Sequence, residues 1–247
     1  MNEVARLHYL SAMGVDVWLA RHSSNRLSGQ SQTDTAKIVE VTAENSALGT
    51  VSDQNLSGKN TTDQAWQILQ QEVVDCERCG LCATRTQTVF GSGNQKAQWL
   101  LIGEAPGQNE DQQGVPFVGK AGQLLTEMLR AMGLSREEVY ITNILKCRPP
   151  NNRDPNTVEV EACKGHLQRQ IELIKPEIIL AVGRVAAQKL LNTDVALAKL
   201  RGTVHNLKGR PLMVIYHPAY LLRSLTEKRK AWADMQMAMK VYRELKK

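Results

Sequence analysis

The chain is poor in aromatic residues, which make up 4% of its 247 residues and include only two phenylalanines, Phe90 and Phe117. It has no apolar run approaching the roughly 18 residues that a membrane span needs. Nor does a basic stretch lead into an apolar segment at the N-terminus, so no signal peptide is expected and the protein is placed in the cytoplasm. The five cysteines are an odd number. In a chain without an export signal, that argues against a disulfide framework and for metal ligation. Residues 22–62 contain no aromatic residue at all and are rich in Ser, Thr, Asn, Gln and Gly. Such a segment cannot bury enough surface to offset the entropy lost on ordering, and it reads as a disordered polar linker.

Ahead of that linker, residues 1–21 have more substance. Leu7, Leu10 and Met13 fall on one helical face, Gly14 stops it, and Val15, Val17 and Leu19 then alternate like a strand. With Tyr9 and Trp18 this piece reads as a tethered docking segment for a replication or repair protein; the alternative is that it packs on its own domain. Net charge is +6, which points to an anionic partner, nucleic acid first.

The domain expected over residues 63–247 opens at Thr61-Thr62-Asp63-Gln64, a plausible capping box, followed by the helical stripe Trp66, Leu69 and Val73. Four short apolar runs follow: Trp99–Gly103, Val139–Ile144, Ile178–Val182 and Leu212–Tyr216. Helical patterns such as Leu124, Leu125, Met128, Leu129 and Met132 separate them. Continuous runs suit strands covered on both faces, and strand–helix repetition suits a parallel sheet. The fold class expected is therefore α/β, three layers (α/β/α) with a central, mainly parallel four-stranded sheet. Three of the runs end in polar motifs: Gly103–Gly107, Thr142-Asn143-Ile144 and His217-Pro218-Ala219. Open α/β sheets place their ligands at those strand ends.

Four cysteines form two separated pairs, Cys76 and Cys79, then Cys147 and Cys163. Zinc and iron–sulfur clusters both accept four thiolates, and spacing does not separate them. Cys82 extends the first pair, but a ferredoxin-type run would need a further cysteine where Thr86 stands. The H-x-E of a zinc deaminase is missing. Gly114–Ala121 matches G-x-x-x-x-G-K yet ends in Ala121, so the hydroxyl that would hold Mg²⁺ is absent and an NTPase is rejected.

Taken together, C-x-x-C at Cys76, the Gly103–Gly107 loop, Pro116–Gly122, Thr142–Pro150 and His217–Arg223 closely resemble the family 4 uracil-DNA glycosylases, over residues of about 75–245. The resemblance implies a [4Fe–4S] cluster on Cys76, Cys79, Cys147 and Cys163, with Cys82 a bystander. It implies an enzyme that hydrolyses the N-glycosidic bond of deoxyuridine in DNA, and a monomer is expected. Phe117 would then stack the base and Asn143 read its edge. His217 would hydrogen-bond uracil O2, and Glu104 would lie near the sugar C1′. Glu110 would stand where the methyl of thymine collides, and Ala105 and Gly107 would contact base or phosphate through their backbone. Leu221 and Leu222 would wedge into the vacated stack, while Arg223, Arg148 and Arg153 would hold phosphates. The rival readings are a non-catalytic DNA-binding or adaptor protein on the same fold, and a zinc-bearing nucleic-acid binder.

Overall fold

The computed structural model describes residues 57–247. The docking segment 1–21 and the linker up to residue 56 lie outside the described residues. From Ser57 a helix, α1, runs without interruption to Val74, so Thr61–Gln64 lie inside it and do not cap its start. Trp66 explains why the helix belongs to the domain. Its ring is buried and meets Phe90 and Tyr140 edge-on at 5.4 and 5.5 Å.

The remaining elements are β1 (Ser92–Gly93), β2 (Trp99–Gly103), α2 (Gln108–Gln113), α3 (Lys120–Met132), β3 (Tyr140–Asn143) and α4 (Thr157–Ile174). Then come β4 (Ile178–Val182), α5 (Arg184–Leu191), α6 (Leu197–Leu200), β5 (Val204–Leu207), β6 (Arg210–Ile215), α7 (Pro218–Leu221) and α8 (Lys228–Glu244). The sheet order is β1-β3-β2-β4-β6-β5. Its four inner strands are parallel, as their apolar runs predict, with Leu101 facing Ile141 on one side and Leu180 on the other. The expected four strands become six because β1 and β5 add antiparallel edges. β1 has only two residues, and β5 alternates exposed and half-buried positions, so neither carries an apolar run.

Side-chain alternation sorts the inner strands between two cores. Leu101, Ile141, Leu180 and Met213 pack with Leu125, Leu129, Trp232 and Met235 of α3 and α8. Leu100, Ile102, Ile179 and Val214 pack with Leu69, Val73, Leu167 and Ala186 of α1, α4 and α5. That gives the three-layer α/β/α architecture. α4 starts on a full capping box in which Asn156 Oδ1 accepts the Glu159 N–H at 2.9 Å and Glu159 Oε2 accepts the Asn156 N–H at 3.0 Å. The chain leaves β2 toward β3 and later returns to the other side of β2 as β4. The loops after β2 and β4 therefore diverge at a topological switch point, where α/β sheets open a crevice.

Candidate active site

A cleft of about 690 Å³ opens at that switch point. Of the residues singled out from the sequence, Glu104, Ala105, Gly107, Glu110, Phe117, Asn143, Arg153, His217 and Arg223 all line it. Glu104 follows β2, Asn143 ends β3, and His217 follows β6, so three parallel strands deliver the three polar groups.

At the inner end, Asn143 is 2% exposed and its Oδ1 has no hydrogen-bond partner among the described residues. A buried amide oxygen left unpaired costs free energy unless a ligand satisfies it. A Cβ on Gly103 would overlap both this oxygen and the Phe117 ring, so the glycine makes room for the pair. Phe117 takes a left-handed backbone conformation, φ 54°, uncommon for a bulky residue. Three neighbours hold it there. Arg136 donates from Nη2 to the Pro116 carbonyl at 2.7 Å and from Nη1 to the Phe117 carbonyl at 3.1 Å. A side chain on Gly122 would collide with the Phe117 backbone. Glu110 Oε1 accepts the N–H groups of Val118 and Gly119 at 2.9 and 3.0 Å. Glu110 thus reaches the cleft as a carboxylate fixed by backbone.

His217 and Glu104 line the same cleft. His217 caps α7: its Nδ1 accepts the Ala219 N–H at 3.2 Å. A ring whose Nδ1 accepts carries its proton on Nε2 when neutral. Burial, helped by the Arg223 charge, pushes its pKa down to about 4, so the neutral form prevails at pH 7. The ring stands 5.7 Å from that of Phe117, centroid to centroid. Gly183, at φ +93°, lets β4 pass close to the His217 Cβ. Glu104 is pushed up to about 7, first by burial and then by the Asp154 carboxylate, while Arg184 acts the other way.

The loop after His217 corrects part of the expected DNA contact. Leu221 is 1% exposed and packs in the core formed with α3 and α8, so it cannot enter a base stack. Leu222, the next residue, is 42% exposed. Arg153 reaches the cleft but donates from Nη1 to Glu159 Oε2 at 2.9 Å. Arg148 does not line the cleft; its Nε donates to Asn152 Oδ1 at 2.8 Å. Sequence reasoning missed Gly183, Arg184, Tyr216 and Tyr220, which also line the cleft, and Arg136, which shapes it from behind. Gly183 directly follows one apolar run and Tyr216 ends another, a signal that could have found them. Arg136 gave none, because its partners lie nineteen and twenty positions away.

A second, smaller cavity is lined by Cys76, Cys79, Cys147 and Cys163, while Cys82 is not among its walls. Arg85 donates from Nη1 to the Cys147 sulfur at 3.1 Å and to the Cys76 carbonyl at 2.9 Å. The Lys146 N–H points at the Cys163 sulfur at 3.4 Å. Burial pushes the Cys147 thiol up to about 11 and raises Cys163 as well. Among the described residues, no three His, Cys, Asp or Glu side chains are grouped to hold a single metal ion. The thiols ring a space instead of meeting at a point.

Residues 90–236 match the family model of the uracil DNA glycosylase superfamily. The chain is similar to a type-4 uracil-DNA glycosylase of Archaeoglobus fulgidus, 49% identical over 160 residues, covering 62% of this chain and 80% of the relative. It is also similar to type-4 uracil-DNA glycosylases of Thermotoga maritima, 43% identical with 66% and 86% covered, and of Saccharolobus solfataricus, 47% identical with 63% and 76% covered.

Proposed function

The chain belongs to the uracil-DNA glycosylase superfamily, and from that premise we propose that its cleft removes uracil from DNA by hydrolysing the N-glycosidic bond of a flipped-out deoxyuridine, leaving an abasic site. The observation that carries the reading is the unpaired Asn143 Oδ1 buried at the inner end of the cleft. Uracil presents an N3–H donor beside an O4 acceptor, and one amide answers both: Oδ1 accepts from N3–H while the amide nitrogen donates to O4. Cytosine reverses that pattern and would leave a buried polar group unmatched, a penalty that hydrogen-bonding sites turn into discrimination. Flipping costs a few kcal/mol of unstacking, which Phe117 offsets by stacking the extruded base. Glu110, fixed by Val118 and Gly119, forms a rigid wall suited to excluding the bulkier thymine.

Bond cleavage moves the C1′–N1 electron pair onto uracil and leaves positive charge on the sugar. His217 Nε2–H donates to O2 as that negative charge grows, an interaction that strengthens in the transition state. A neutral imidazole does this without protonating the base, in keeping with its low pKa. The Glu104 carboxylate favours the sugar cation and accepts a proton from the water that adds to C1′. Arg223 and Leu222 contact phosphate and the vacated stack.

Cys76, Cys79, Cys147 and Cys163 would hold a [4Fe–4S] cluster, whose one thiolate per iron asks for thiols spread around a cavity, as these are. The cluster would tie the end of α1, the loop after β3 and helix α4 together. The docking role of residues 1–21 stays a proposal of the same kind, checked by recovery of a replication or repair protein with the full chain and not with one starting at residue 57.

Incubation with a uracil-containing oligonucleotide and alkaline cleavage of abasic sites tests the activity. Strand breaks at the uracil position, absent for cytosine and thymine controls, are expected. Intact strands with cluster-loaded protein would end the proposal.

A further inference from the structure

Two tyrosines at the mouth of the cleft take no part in the chemistry above. Tyr216 and Tyr220 both line it, and their rings lie 5.1 Å apart at 36°. The stack is built from the core outward. Asp234, 4% exposed, accepts from Arg201 Nε at 2.6 Å. The Arg201 guanidinium sits 3.9 Å from the centre of the Tyr216 ring. Tyr216 is buried, and Tyr220, the last layer, is 38% exposed beside the exposed Leu222. A cation–π contact at so dry a position fixes the inner ring firmly, and the inner ring fixes the outer one.

An exposed aromatic held this way and flanked by cations is the makeup of a nucleobase platform, because every base has a face to stack and every link a phosphate. Arg223 lines the same cleft and supplies a cation, and Arg184 lines it too, paired there with Asp154 at 2.5 Å. The flipped uracil is not the occupant. Phe117 already faces that position beside His217, whereas Tyr220 lies a turn further on, at the outer side of α7.

We propose that Tyr220, backed by Tyr216 and Arg201, is a stacking subsite for an unpaired nucleobase adjacent to the flipped uracil, and that it strengthens binding to single-stranded DNA. This rests on the glycosylase reading and adds to it a contact beyond the uracil pocket. Stacking of this kind is sequence-tolerant, so the subsite takes any base but requires that one be present.

The test is a cycle between protein and DNA. Affinity is measured for single-stranded oligonucleotides carrying a non-cleavable 2′-fluoro analogue of deoxyuridine, with each neighbouring nucleotide in turn replaced by an abasic analogue. Tyr220→Ala should weaken binding about tenfold on the intact strand, and Tyr220→Phe should restore it. On the strand lacking the stacked neighbour, wild type and Tyr220→Ala should bind alike. Equal loss on all strands, or no loss on any, overturns the subsite. Melting temperatures confirm that both variants are folded. Uracil release by the wild type, measured alongside, reports on the glycosylase reading separately. An active wild type with no neighbour-dependent effect of Tyr220→Ala sinks only the subsite, and an inactive wild type sinks the reading beneath it.

Discussion

At pH 7 His217 is neutral while Glu104, with its pKa near 7, is divided between its two forms. If Glu104 must be ionised to take a proton from water, uracil release should climb as pH rises through about 7 and then level off. Glu104→Gln should abolish that limb along with most of the activity. Asp154→Asn should move the limb to lower pH, because it removes the like charge and frees Arg184 to act on Glu104. Stability should run the other way. Folding raises the pKa of Glu104 from 4.5, so its contribution is full below about 4.5 and is lost as pH rises through about 7. Glu104→Gln should therefore melt higher than wild type at about pH 8 and equally at about pH 4. A variant that melts lower at the higher pH would mean that Glu104 is a structural anchor. These residues were legible in the sequence for one physical reason: Glu104, Asn143 and His217 each end or follow an apolar run, and parallel strands bring such ends to one edge.

Elements were legible where burial is continuous and obscure where it is not. The four inner strands stand out as apolar runs; β1 and β5 do not, being short or half-exposed. The start of α1 was misplaced because Thr61–Gln64 has the chemistry of a cap yet lies within a helix that starts at Ser57. The Leu221–Leu222 pair shows the same limit at finer grain. Two identical side chains in sequence carry no mark of which faces the core, and one residue's rotation along α7 decides it. Leu221→Ala should lose about 2–5 kcal/mol of stability, as truncation of a fully buried leucine does. Leu222→Ala should leave the melting temperature close to wild type while lowering uracil release from duplex DNA more than from single strands, since only a duplex has a stack to fill. Paired denaturant melts and glycosylase assays on the two variants check this. The reverse pattern would return the wedge to Leu221.

Across the whole molecule, the two cysteine pairs are joined by packing that no local pattern announces. Cys76 and Cys79 follow α1, Cys163 sits on α4, and α1 and α4 are joined through buried Leu69, Val73 and Leu167 and by the Glu72–Arg169 ion pair. The four thiols line one cavity only because the sheet brings those helices to the same face. The sequence showed the pairs but left zinc and iron–sulfur open, and Cys82, three residues from Cys79, carried no sign of exclusion. Its absence from the cavity walls now separates it from the other four. Cys82→Ser should keep the iron content, the visible absorbance and the melting temperature of wild type. Cys163→Ser should lose iron and colour and melt lower, because a tie between α4 and the loop after β3 is cut and a buried polar hydroxyl is left in its place. Removal of the metal by a chelator after reduction should lower the melting temperature in the same direction. Iron lost from Cys82→Ser and retained by Cys163→Ser would reassign the ligands, and zinc in place of iron in freshly purified, colourless protein would replace the cluster with a mononuclear site.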